Sequence, residues 1–93
     1  MKQHRFLHVT LILRKRANIE GIRAVIDRAP DWMHYSDECW LLRTKLSPET
    51  WYNRLKDVIG DDGRALIYEV DLSGRFGRVP QWVWEWIDQY LTD

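Results

Sequence analysis

Residues 80–91 read PQWVWEWIDQYL, with tryptophans at 82, 84 and 86. Every second position is the spacing of a strand, in which alternate side chains share a face. As a strand, this stretch would carry all three rings on one side and Val83, Glu85 and Ile87 on the other. As a helix, it would gather Val83, Trp86, Ile87, Tyr90 and Leu91 at three- and four-residue spacing, with Glu85, Asp88 and Gln89 away from the apolar centre. The helix accounts for more residues, and Pro80 suits a helix's first turn. The stretch is therefore predicted to be an aromatic C-terminal helix, with Trp84 left exposed.

Working back from that helix, SGRFGR at 73–78 reads as a glycine-rich loop, and RALIYEVDL at 64–72 as a strand. On this strand Leu66, Tyr68, Val70 and Leu72 share one face, and only that face is fully apolar. Ser47-Pro48-Glu49 is a helix start, with a capping serine, a proline at the first helical position and an acid near the positive end of the dipole. Trp51, Leu55, Val58 and Ile59 then fall on one side, and Gly60 suits the turn out of the helix. Trp32–Tyr35 and Cys39–Thr44 form a hairpin around Ser36-Asp37-Glu38. Asn18 caps a helix carrying Ile19, Ile22, Val25, Ile26 and Ala29, which Pro30 stops. FLHVTLIL at 6–13 is a short, mostly buried strand.

The order is strand, helix, strand, strand, helix, strand, tail. This is the α+β, ferredoxin-like βαββαβ pattern of a single domain covering 1–93, with 73–93 as loop and aromatic helix. Right-handed crossovers predict a four-stranded antiparallel sheet in the order 4-1-3-2, with two helices on one face. The other face needs water, the tail or a partner.

Composition narrows the function classes. The 93 residues hold fourteen basic and fourteen acidic side chains, so strong non-specific nucleic-acid binding by the whole surface is disfavoured. Cys39 is the sole cysteine, which excludes an intrachain disulfide and a cysteine-based zinc site. It fits a reducing compartment. The N-terminal apolar run contains His8 and Thr10, ends in Arg14-Lys15-Arg16 and lacks a small-residue cleavage site. No stretch approaches the ~20 apolar residues that span a bilayer. The expectation is a cytoplasmic protein with no membrane association.

Chemistry-bearing clusters are sparse. Asp37 and Glu38 read as a solvated hairpin turn, and Glu69 and Asp71 as a polar strand face. His4, His8 and His34 are too scattered for a metal site. Cys39 reads as a small core residue. No metal or cofactor is expected, and no catalytic residue is assigned. The proposed topology does sort charge. One edge mixes Arg14, Lys15, Arg16 and Arg64 with Asp37, Glu38, Asp61 and Asp62. The other carries Lys2, Arg5, Arg28, Arg43, Lys45, Arg75 and Arg78. Arg75-Phe76-Gly77-Arg78 joins two guanidiniums to a stackable ring, a combination suited to single-stranded nucleic acid. The candidate nucleic-acid contacts are thus Arg43, Lys45, Arg75, Phe76 and Arg78. Trp82, Trp84 and Trp86 are the candidate dimer or partner interface.

Trp32, His34, Tyr35, Trp40, Leu41, Arg43, Thr44, Leu46 and Ser47 follow a run of "W", "HY", "W-L-hydrophobic-R/K-T" and "L-S". In this, and in its later strand and aromatic end, the chain resembles a family of small bacterial proteins labelled SinR-like. The likeness covers roughly residues 6–90 and rests mainly on packing residues. That family is similar in fold to the small CRISPR spacer-acquisition proteins, which are ferredoxin-like homodimers linked to metal-dependent nuclease activity or nucleic-acid scaffolding. Their strand-1 aspartate falls at Ile12 here. Isoleucine has no oxygen to offer a divalent metal. The resemblance with this departure implies a homodimeric, non-catalytic module associated with nucleic acid. The alternatives are a metal-dependent endonuclease using Glu69 or Asp71, and a toxin–antitoxin or phage-defence component that binds a protein partner.

Overall fold

A computed structural model describes residues 3–91; Lys2 lies outside them. The elements run β1 (Arg5–Ile12), α1 (Ile19–Ile26), β2 (Asp31–Ser36), β3 (Cys39–Thr44), α2 (Pro48–Ile59), β4 (Arg64–Val70) and α3 (Gln81–Leu91). The four strands form one antiparallel sheet ordered β2-β3-β1-β4. Counted from the β4 edge this is 4-1-3-2. Of the described helices, none is long and apolar enough to cross a membrane.

Alternation in β1 sets up both faces. Leu7, Val9 and Leu11 are fully buried on one side, where Trp40 and Leu42 from β3 join Ile22 and Ile26 of α1 and Trp51, Leu55 and Ile59 of α2. This is the main core. The two helices are capped as their sequences require: the Asn18 side chain accepts from Gly21 N–H at 2.9 Å, and Ser47 Oγ accepts from Thr50 N–H at 3.2 Å. They also lie close together. A Cβ on Gly21 would stand 2.7 Å from Val58 Cγ1, so only glycine fits there. Asn18 N–H donates to the Val58 carbonyl at 2.7 Å, tying the start of α1 to the end of α2. Gly60 leaves α2 with φ 82 and ψ 163, a region open in practice to glycine alone.

The second cluster lies on the opposite face. Val83 and Ile87 of α3 are buried against Met33 of β2 and Leu41 of β3. The tail is thus a helix, and it covers part of the face that α1 and α2 leave open. Four expectations need correction. Trp84 is half-buried in this cluster, and Trp82 is the exposed ring of the tail at 48%. The two are two residues, about half a helical turn, apart, and the helix is rolled so that 83 and 87 point at the sheet. Helix α1 ends at Ile26 rather than reaching Ala29. β4 ends at Val70, because the Asp71 carboxylate accepts from both Ser73 N–H and Ser73 Oγ–H and turns the chain. Cys39 is only partly buried and lies outside both buried clusters.

The apolar face of β4 also points away from the main core. Ala65 and Ile67 pack towards α1 and α2, while Leu66 and Tyr68 are 63% and 44% exposed on the open side.

Candidate functional site

One end of the sheet gathers positive charge. The start of β1 brings His4, the end of β3 brings Arg43 and Lys45, the segment after α1 brings Arg28, and α2 brings Arg54. Two adjoining surface concavities hold these residues. One is lined by Gln3, His4, Phe6, Arg43, Lys45 and Tyr90, and the other by His4, Arg28, Lys45, Leu46 and Arg54. They share His4 and Lys45, and no carboxylate side chain among the described residues lines either. Among the described residues, the only ion pairs are Arg5–Glu69 at 3.1 Å and Arg75–Asp88 at 2.8 Å. The four long cations of this end thus form no ion pair with any described residue.

Aromatic rings hold two of the guanidiniums in place. Arg43 lies 4.4 Å above the Tyr90 ring, and Arg54 lies 5.1 Å from the Trp51 ring, both within cation–π range. Tyr90 is itself anchored. Its hydroxyl donates to Asp31 Oδ2, and its ring packs against Phe6 and Trp86 at 6.0 and 5.3 Å. The hydrogen bond to Asp31, then burial, raises the Tyr90 pKa above the usual phenol range. Desolvation, then the positive charges of Arg43 and Lys45, holds His4 below the usual imidazole range.

The five residues expected to contact nucleic acid do not form one site. Arg43 and Lys45 meet at this end. Arg75 and Phe76 instead line a cleft between the 73–79 loop, α3 and the open sheet face. Arg75 is committed there: it donates to Asp88 Oδ1 at 2.8 Å and to the Leu72 carbonyl at 3.1 Å. Phe76 is fully exposed. Arg78 is exposed and has no side-chain partner among the described residues. Of the three tail tryptophans, Trp86 packs edge-on against Phe6 at 5.9 Å and Trp84 joins the α3 cluster. Trp82 alone is available as an exposed contact.

His4, Arg54 and Tyr90 were not singled out by sequence reasoning. Arg54 was legible, since it follows Trp51 by three residues on one helix and so shares its side. Tyr90 was not, because it meets Arg43 only once α3 has docked. Glu69 and Asp71 are held apart by different tasks, one pairing with Arg5 and the other binding Ser73. Hydrogen bonds from Ser73 lower the Asp71 pKa. Among the described residues, no group of three or more His, Cys, Asp or Glu side chains is placed to hold a metal ion.

The open face carries a second polar group. His8 Nε2 and the Tyr35 hydroxyl are hydrogen-bonded, and His8 stacks on Tyr68 with centroids 5.3 Å apart. Burial lowers the His8 pKa. Burial first, then the neighbouring Cys39 thiol, pushes Tyr35 up to about 12. His34 lies on the other face, stacked on Trp40 at 4.0 Å, so His8 and His34 cannot share a ligand. Comparison of the chain with protein-family models, with curated proteins and with solved structures finds no match.

Proposed function

We propose that this chain is a ferredoxin-like, non-catalytic module that binds nucleic acid through its basic end and acts as a homodimer. The observation that carries this reading is the meeting of Arg28, Arg43, Lys45, Arg54 and His4 around adjoining concavities that no carboxylate among the described residues lines. Phosphate is the common anion that such a surface suits. Its backbone contacts would supply affinity without reading sequence. Arginines braced on rings lose less freedom when a phosphate arrives than free ones would. The homodimer reading draws on the exposed apolar side chains Leu66, Tyr68 and Trp82, which form surface that water solvates poorly.

The test is a binding screen against single- and double-stranded RNA and DNA at two salt concentrations. Binding should weaken steeply with salt. The Arg43→Ala, Lys45→Ala double variant should lose at least about tenfold in affinity and show a shallower salt slope, by about 0.7–0.9 per phosphate contact removed. The double variant Arg75→Ala, Arg78→Ala should lose less, since Arg75 already serves Asp88. Equal binding by the Arg43/Lys45 variant and the parent would reduce the basic end to a solvated surface. Light scattering on the eluting protein tests the dimer, and a strict monomer at high concentration removes that part.

A further inference from the structure

Between α3, the 73–79 loop and the open sheet face lies a cleft of about 340 Å³ that shares no residue with the basic end. Its floor is Met33, Leu41 and Val70, and its walls are Leu72, Val83 and Ile87. The hydrogen-bonded His8 and Tyr35 also line it. Small-molecule sites combine these features: apolar walls, a few convergent polar groups, and volumes from about 300 Å³ upward. A dry cavity of about 150 Å³ holds one benzene ring. Roughly twice that volume suits two fused rings.

The polar groups narrow the chemistry. Of the two charged side chains on the lining, the cation is paired and the anion, among the described residues, is not. Asp71 holds Ser73, and Arg75 holds Asp88 and the Leu72 carbonyl. No free cation among the described residues therefore awaits an anionic occupant there, and the Asp71 charge repels one. With the His8 imidazole neutral, Nε2 takes the Tyr35 hydroxyl proton, and the Tyr35 oxygen keeps a lone pair for another donor. An occupant with one N–H or O–H on an otherwise apolar ring system complements this pair. At the rim, Phe76 stands fully exposed between Gly74 and Gly77, neither of which has a neighbour within 4 Å of a Cβ position. That ring lacks a packing partner, and a seated planar molecule would supply one.

We infer that this cleft binds a small, uncharged, bicyclic aromatic molecule that donates one hydrogen bond to the Tyr35 hydroxyl oxygen. The probes are indole, benzofuran (the same shape without the N–H) and naphthalene-2-carboxylate, titrated into the full chain and followed by two-dimensional amide NMR. Indole should give saturable shifts at Met33, Tyr35, Leu41, Val83 and Ile87 below about 5 mM. Benzofuran should bind about 3–10-fold more weakly, and the naphthoate more weakly still. Tyr35→Phe should remove the difference between indole and benzofuran. Leu72→Trp, which fills the cleft from its loop side, should abolish the shifts while keeping the dispersion of the spectrum. Val79→Trp serves the same purpose should Leu72→Trp unfold. Shifts that do not saturate, that persist in the filled variant, or that centre on His4 and Lys45 would overturn the inference. So would indole and benzofuran binding equally. Concentration-dependent shifts at the cleft without any probe would also overturn it, assigning the cleft to a second copy of the chain.

Discussion

Thr44 is almost completely buried, and its hydroxyl oxygen accepts from both Trp51 Nε1–H and Leu46 N–H at 3.1 Å. Trp51 is the largest fully buried side chain, and this is its only polar handle. Thr44→Val keeps the shape and removes the acceptor. It leaves a buried indole N–H unpartnered, at a cost of about 1–3 kcal/mol. Urea unfolding should show a lower midpoint with an unchanged slope. His8 gives a second test. Its pKa lies below the unfolded value of 6.5, so below that value the unfolded chain binds a proton that the folded chain resists. Stability should then be constant above about pH 7 and fall as pH drops through 6.5 towards the depressed value. His8→Gln should flatten that part of the profile. A parent protein equally stable at pH 5 and pH 7.5 would contradict it.

Helix α3 illustrates how an element is chosen. Its tryptophans alternate, which favours a strand locally, yet Val83, Trp86, Ile87 and Tyr90 fall on one helical side, and that side meets Phe6, Met33 and Leu41. Burial of a continuous apolar stripe outweighs the local spacing. Ile87 is central to it. Ile87→Ala should cost about 2–4 kcal/mol, and it should expose the Phe6–Leu41 face to a hydrophobic dye before the main core unfolds. Trp82→Ala should leave stability within about 0.5 kcal/mol of the parent and weaken only a contact between molecules. A large stability loss for Trp82→Ala would mean that its ring packs within the chain.

Across the whole molecule, fourteen acids balance fourteen bases, and the fold separates them unevenly. Arg14, Lys15 and Arg16 are exposed at the end that also carries Asp37, Glu38, Asp61 and Asp62. Arg28, Arg43, Lys45 and Arg54 gather at the other end with His4. A phosphate bound there would favour protonated His4, which desolvation and then the Arg43 and Lys45 charges disfavour in the free chain. Affinity for a single-stranded oligonucleotide should therefore rise as pH falls below about 6.5, the usual imidazole value. His4→Ala should remove the rise without abolishing binding at pH 7.5. Fluorescence titration at three pH values measures it.

The elements themselves were legible in one dimension, because caps, prolines and apolar spacing act over a few residues. Asn18 and Ser47 start α1 and α2 where they stand, and Gly60 closes α2. The strand neighbours followed from element order and handedness. Which face of β4 meets the helices was not legible, since its more apolar side lies open and Ala65 and Ile67 turn inward. The roll of α3, which buries Val83 and Ile87 and leaves Trp82 out, was equally hidden. The partnership of Arg75 with Asp88, thirteen residues away, and of Arg43 with Tyr90, forty-seven away, depends on where α3 docks. Spacing along a chain reports periodicity. It carries no information about which surfaces are left to cover once the first core has closed, and the cleft and the Tyr90 brace on Arg43 are made by that second packing step.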